Sequence, residues 1–336
     1  MMRHIRVLEP SRHWDDLLLR CQGATVFQQS AWLAMLRQCF KAHAQMVHIP
    51  LGSGHYALFA LGIRPCGRGW LPLAIAGDAG AYGGLVATRP LHPHESNLIC
   101  QWVLAQYPAV VINGNPFGTT TPLPSGCKAL PDETHCLDLA PRHVLSTGFS
   151  RGCRARGNKA RRQGLELDIQ HGQEGVAQFY PIYLDSVRRW GDRLTWLRPL
   201  AFFERIADQF GAQATVMLAR QNDKPISGLF LLHGYGLCHY VAGATHHDAQ
   251  AVCPSNFLIE EALDWAYTTG LTRFDFGPSH ALEGVRQFKA SFGATAIPMM
   301  GFSRLPWPQQ AYLKVRQYLQ TRSTLSKQTV VAGTSH

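Results

Sequence analysis

Apolar residues along this chain recur with a helical period in some stretches and a strand period in others, and the order of these stretches repeats. In VFQQSAWLAMLRQCF, Trp32, Met35, Leu36 and Cys39 share one helical stripe behind a cap at Ser30. AQMVHIP, HYALFALGIR and GGLVAT follow as strand-like runs between glycine and proline punctuation. A helix in HESNLICQWVLAQY, a buried strand in AVVING and a further strand in HCLDL close this unit.

The second half opens with EGVAQFYPIYLDSVRRW, where Val176, Phe179, Tyr183, Val187 and Trp190 make an amphipathic helix, with Pro181 near its start or kinking it. PLAFFERIADQF is a second helix. ATVMLAR, ISGLFLLHGY and GLCHYVAGAT read as an antiparallel meander, turned at QNDKP and at Gly234 to Gly236. CPSNFLIEEALDWAYTTG is a helix with Pro254 in its first turn and Gly270 at its C-terminal cap, and RFDFG returns as a strand. The tail QTRSTLSKQTVVAGTSH is polar and reads as disordered beyond a C-terminal helix.

Composition narrows the class. The chain has 336 residues, 46% hydrophobic and 16% charged, enough for two ordinary cores or one large one. No apolar run reaches the roughly 20 residues that span a bilayer, and the first residues lack the apolar centre of a signal peptide. Nine cysteines, an odd number, form no CxxC pair, which suggests neither a zinc ribbon nor a disulfide framework and suits reduced thiols in a cytoplasm. The net charge of +10 favours a polyanionic partner. Its densest carrier is RGCRARGNKARR, where Arg151, Arg154, Arg156, Lys159, Arg161 and Arg162 stand without an acid. That block is either a solvated helix face or linker, or a surface for the phosphates of a nucleotide, coenzyme A or tRNA.

The stretch from Tyr240 to Gly293 carries a family resemblance. Tyr240, Gly243, Pro254, Trp265, Ala266, Gly270, Asp275, Phe276, Gly277, Phe288, Lys289, Phe292 and Gly293 match the C-terminal pattern of FemAB-type proteins, the BioF2-like or FemAB-related acetyltransferase group. RARGNKARRQG and FQQSAWLAML resemble further segments of such proteins, so coverage runs from about 25 to 303, densest in the last third. The meander, crossover helix and returning strand also describe the core of the GNAT acyltransferase fold. The resemblance implies an α/β (α+β) chain of two tandem GNAT-like domains, each a mixed, mostly antiparallel sheet flanked by helices, at 1–149 and 150–304, with 305–336 as helix and tail. It implies transfer of an acyl or aminoacyl group to an amine of a small molecule, peptide or cell-envelope precursor. No permanent cofactor is implied; aminoacyl-tRNA or acyl-CoA serves as co-substrate.

The chemistry can be weighed on the residues themselves. Acyl transfer needs a carbonyl held near a neutral nitrogen, a donor to the developing oxyanion and a route for one proton. Lys289, flanked by Phe288 and Phe292, can place a charge against apolar walls beside the carbonyl; otherwise it is a snorkelling surface lysine. Asp275 either faces the cleft as a general base or organises the Gly277-Pro278 turn, which an Asp before such a turn commonly does. Lys289 and Asp275 are the catalytic candidates. Tyr240, Gly277, Phe288, Arg154, Arg156, Lys159, Arg161 and Arg162 are the candidates for holding donor or substrate.

Three further features refine this. THHDAQAVCPSN contains no glycine where GNAT enzymes carry the turn that binds the pyrophosphate of coenzyme A, so an aminoacyl-tRNA donor is preferred. His246, His247 and Asp248 lack a third ligand cluster, so a polar loop is expected there rather than a metal. No phosphate loop, dinucleotide fingerprint or GxSxG elbow is present. The competing expectation is a non-catalytic protein that holds RNA or another anion on a duplicated GNAT scaffold.

Overall fold

The computed structural model describes residues 5–66, 69, 71–190, 197–279 and 282–313. The expected disordered tail lies outside the described residues. The first half supplies β1 (Arg6–Leu8), α1 (Arg12–Leu18), α2 (Ser30–Phe40), β2 (His43–Gly52), β3 (His55–Arg64), β4 (Leu73–Ala76), β5 (Leu85–Ala87), α3 (Pro93–Gln106), β6 (Val110–Ile112) and β7 (Lys128–Asp138). Then come α4 (Arg142–Gly148), α5 (Arg151–Arg162), β8 (Glu166–Gln170), α6 (Gly172–Trp190), α7 (Leu200–Phe210), β9 (Ala214–Gln221), β10 (Lys224–Gly234), β11 (Leu237–Thr245), α8 (Pro254–Thr268), β12 (Arg273–Pro278), α9 (Glu283–Ala290) and β13 (Thr295–Arg304).

These strands form one mixed, mostly antiparallel sheet in the order β1-β2-β3-β4-β6-β13-β7-β12-β11-β10-β9-β8, with β5 pairing β3 off this path. Reading inward from each edge gives the same plan: a meander, a parallel neighbour reached through a crossover helix, then β13 and β7. The two central strands are exchanged. β7, from the first half of the sequence, lies against β12, while β13, from the second half, lies between β6 and β7.

Strand alternation puts helices on both faces. Val216 and Leu218 enter a core shared with α2, α6 and α7, whereas Met217 and Ala219 enter the core under α5 and α8. On the first half, Ala57, Phe59 and Leu61 of β3 face α3 through Ile99 and Val103. The shared core is aromatic: Trp32 lies edge-on to Phe202 and Phe210, and Phe203 touches Phe179, Tyr183 and Phe230. Each such ring is worth roughly 1.5–3 kcal/mol on burial. This layer joins helices of both halves across one sheet face.

One local expectation changes and one alternative is selected. Ser30 begins α2 rather than capping it, and its amide is held by Asp15 Oδ1 at 2.8 Å, so the cap comes from another helix. Of the alternatives for the basic block, the helix is observed rather than the linker: it runs for twelve residues and is capped by Ser150.

Candidate active site

The two parallel strands β11 and β12 pair at Leu237 with Arg273, Cys238 with Phe274 and His239 with Asp275, and then separate. Beyond that point β11 carries a bulge, because Leu231 faces Tyr240 while Phe230 faces Ala242, leaving Val241 without an opposite residue. β12 ends in Gly277, whose φ of 74° belongs to the left-handed region that favours glycine. A cavity of about 570 Å³ opens between the separating strands. β11 and β12 form one side, α9 supplies Lys289, and Trp32, Tyr82 and Arg198 close it from the first half and from the turn before α7.

The corresponding corner of the first half, where β4 runs parallel to β6, is packed shut. A Cβ on Gly83 would come within 2.4 Å of the Ala76 carbonyl, and one on Gly301 within 2.2 Å of the Ile112 oxygen. Asn113 Nδ2 also donates to the Gly77 carbonyl at 2.6 Å.

Asp275 is 1% exposed and is the hub of the open site. Its carboxylate accepts from Thr134 Oγ1 at 2.6 Å, from Tyr82 Oη at 2.8 Å and from the Gly277 amide at 3.0 Å, and lies 2.8 Å from His239 Nδ1. Burial pushes this carboxyl up, but the bonds from His239, Thr134 and Tyr82 outweigh it and leave it below its ordinary value. Asp275 is therefore ionised at neutral pH. The Tyr82 phenol is driven the other way, by burial and by the Asp275 charge, and acts as a donor. Thr134 and Tyr82 come from the first half, His239 and Gly277 from the second, so one carboxylate ties the halves together.

Lys289 is 5% exposed. Its Nζ donates to the carbonyls of Gly277 at 2.5 Å and Pro278 at 3.0 Å, which closes the strand-end turn from the α9 side. Burial lowers its pKa to about 8, against smaller opposing effects from Asp275, Asp132 and Glu133. Tyr240 lies on β11 in the cavity wall, with its hydroxyl over Gly243, where a Cβ would come within 1.9 Å of it. Burial pushes the Tyr240 phenol up to about 12, partly offset by the Arg198 charge.

Lys289, Asp275, Gly277 and Tyr240 are thus brought to one cavity, and the other expected residues are not. Phe288 turns away from the wall into the core under α8, edge-on to Phe292 at 5.2 Å, because neighbouring positions on a helix point about 100° apart. No residue of α5 lines the cavity. Arg154 donates to the carbonyls of Phe149 and Ser146, and Arg161 bridges Glu260 at 2.7 Å and Glu261 at 3.0 Å. Arg151, Arg156, Lys159 and Arg162 stay exposed.

The turn between β11 and α8 has its own internal partners. The amides of Thr245, His246 and His247 donate to Ser186 Oγ, the Ile226 carbonyl and Asp185 Oδ2 at 2.8 to 2.9 Å. His246 Nδ1 also lies 3.4 Å from Asp185. Among the described residues no cluster of His, Cys, Asp and Glu suits a metal, and no helix is long and apolar enough to cross a membrane. Sequence reasoning passed over His239, Tyr82, Trp32 and Arg198 as site residues.

Residues 148–290 match the family model described as an acetyltransferase (GNAT) domain. The whole chain shares its fold with FemX, at 14% identity and a TM-score of 0.67, covering 92% of this chain and 99% of that one. It is also similar to L-PGS from Bacillus licheniformis, at 14% identity and a TM-score of 0.54, with 94% and 97% covered. The C-terminal domain (DUF2156) of a putative lysylphosphatidylglycerol synthetase from Agrobacterium fabrum aligns at 17% identity and a TM-score of 0.50, covering 91% and 95%. A search of curated proteins finds no match. The chain is FemX-like in fold.

Proposed function

We propose that this FemX-like protein transfers an acyl or aminoacyl group from an activated donor to an amine in the cavity between β11 and β12. The observation that carries this reading is the parting of those strands beside Asp275 and Lys289, in the one parallel corner of the two that is open. The neutral amine attacks the donor carbonyl carbon; a C–N bond forms as the ester C–O or thioester C–S bond breaks. The amine gives up one proton and the departing oxygen or sulfur takes one up. Lys289 spends two of its three N–H groups on the turn, leaving the third for the developing oxyanion. Asp275 fixes His239 and the turn, so its role is positioning.

Aminoacyl-tRNA is the preferred donor. The amides of Thr245, His246 and His247, in the turn that leads from β11 toward α8 where a GNAT enzyme would hold pyrophosphate, are already occupied, and Asp185 adds a negative charge there. The exposed cations of α5 suit a longer polyanion. Both donor classes are made and used in the cytoplasm, where we place the reaction. A second reading, anion or RNA binding without chemistry, rests on those same α5 cations.

The test is to incubate the full chain with alanyl-tRNA or acetyl-CoA and a panel of primary amines, and to follow N-acylated products by mass spectrometry. Transfer from alanyl-tRNA is expected, falling roughly a hundredfold or more in Lys289→Met. Binding of tRNA with no product from either donor would leave only the second reading.

A further inference from the structure

We infer that the acceptor is a free amino acid with an aromatic or large apolar side chain, its carboxylate held by Arg198 and Trp32 and its amine directed to His239 Nε2. This rests on the transferase reading above and names the substrate class of the same cavity.

Two buried polar atoms in the wall point to a ligand. The indole N–H of Trp32 has no partner among the described residues, although Trp32 is 2% exposed. The nearby Trp14 shows the ordinary solution, donating to the Gln28 carbonyl at 2.8 Å. An unmet buried donor costs about 1–3 kcal/mol, which a bound acceptor atom recovers. His239 is the second case: its Nδ1 is committed to Asp275, while Nε2 is buried and unpartnered among the described residues. Phe27 lies between the two, at 4.9 Å from the Trp32 ring and 4.8 Å from the His239 ring.

Arg198 belongs to the Trp32 end. Its guanidinium lies 5.7 Å from the Phe202 ring, which Trp32 meets edge-on at 6.3 Å, and one of its nitrogens is 3.3 Å from where a Cβ on Gly80 would sit. Its backbone is fixed on both sides, the amide donating to Tyr183 Oη at 3.1 Å and the carbonyl accepting from Tyr180 Oη at 3.4 Å. A charged planar donor and an unmet indole N–H that line one cavity suit a carboxylate. At the other side of Phe27, an imidazole oriented by an ionised carboxylate accepts a proton from an amine. During transfer the amine proton passes to His239 Nε2 as the C–N bond forms, and the departing oxygen or sulfur leaves with a proton. The same wall also carries Tyr183, Tyr240 and Phe276, aromatic surface that suits a large side chain.

The experiment measures binding to the full chain by calorimetry, with L-phenylalanine and L-leucine as probes. Phenethylamine, which lacks the carboxylate, and 3-phenylpropionate, which lacks the amine, are the controls. One amino acid should bind at least about tenfold more tightly than either control. Arg198→Met should erase its preference over the amine, and His239→Asn, whose amide can still reach Asp275, its preference over the acid. Melting curves show whether each variant is folded, and Trp32→Phe gives an independent loss at the carboxylate end. Equal affinity for phenethylamine and the amino acids, or no binding of either amino acid at millimolar concentration, overturns the inference. So does transfer confined to amines without a carboxylate, which would leave the transferase reading standing. Amino-acid binding without transfer from any donor would support the inference and sink that reading.

Discussion

A lysine that spends two N–H groups on backbone carbonyls is part of the fold as well as of the chemistry. Lys289→Met leaves the Gly277 and Pro278 oxygens buried without their donor, so a loss of about 1–3 kcal/mol in urea unfolding should accompany the loss of transfer. The pH dependence separates the two roles. The folded-state pKa is lowered from 10.5 to about 8, so between these values the unfolded chain keeps a proton that the folded chain has released. Stability from this group is therefore lowest below about pH 8 and rises toward 10.5, whereas transfer that uses the charge falls above about 8. Stability and rate should move in opposite directions across that window, measured by denaturation and by a pH–rate profile; a rate that rises with stability there would remove the charge from the mechanism. Asp275 as organiser of the Gly277 turn was legible in the sequence, because the two lie two residues apart. Its other partners were not: Thr134, His239 and Tyr82 lie 141, 36 and 193 residues away, and no local pattern records such pairings.

At the scale of elements, α5 shows why a charge run can hide a packed helix. Its buried stripe is only Cys153, Gly157 and Ala160, too small to stand out among six cations, yet it docks on α8. A Cβ on Gly157 would come within 1.9 Å of Glu260 Oε1, in a carboxylate whose other oxygen is held by Arg161. Gly157→Ala should displace Glu260, weaken that bridge and cost about 1–3 kcal/mol, seen as a lower melting temperature. The opposite face is free to change. Replacing Arg156, Lys159 and Arg162 with Gln should leave melting unaltered, weaken tRNA binding and flatten its dependence on salt, since fewer counterions are released. Unchanged affinity and slope, read by fluorescence anisotropy across salt concentrations, would make this face merely solvated. The long strands, α2, α3, α6, α7 and α8 were legible because their apolar periods are long. The short β1 and β4, and α9 with β13 after the cavity turn, lack such periods and owe their form to the sheet they join.

At the scale of the whole molecule, the repeated order of elements announces two GNAT-like units, but the sheet does not divide where the sequence does. β13 pairs along its length with β7, from Thr295 opposite Cys136 to Ser303 opposite Lys128, and both lie between the two meanders. This pairing is nonlocal, and nothing in the apolar pattern of either strand distinguishes an exchanged neighbour from its own. Residues 1–149 alone would keep β7 but lack β13, which separates it from β6; residues 150–336 alone would keep β13 but lose the strand joining it to β12. In the second fragment the Asp275 carboxylate would also lose the bonds from Thr134 and Tyr82 that help keep it ionised in the intact site. We expect neither fragment to unfold cooperatively by itself, and the two together, mixed from denaturant, to regain one cooperative transition. If residues 150–336 alone melt sharply and bind the ligands of the intact chain, then the exchanged strands are an accessory to two independent units, and Asp275 does not need the first half to stay charged.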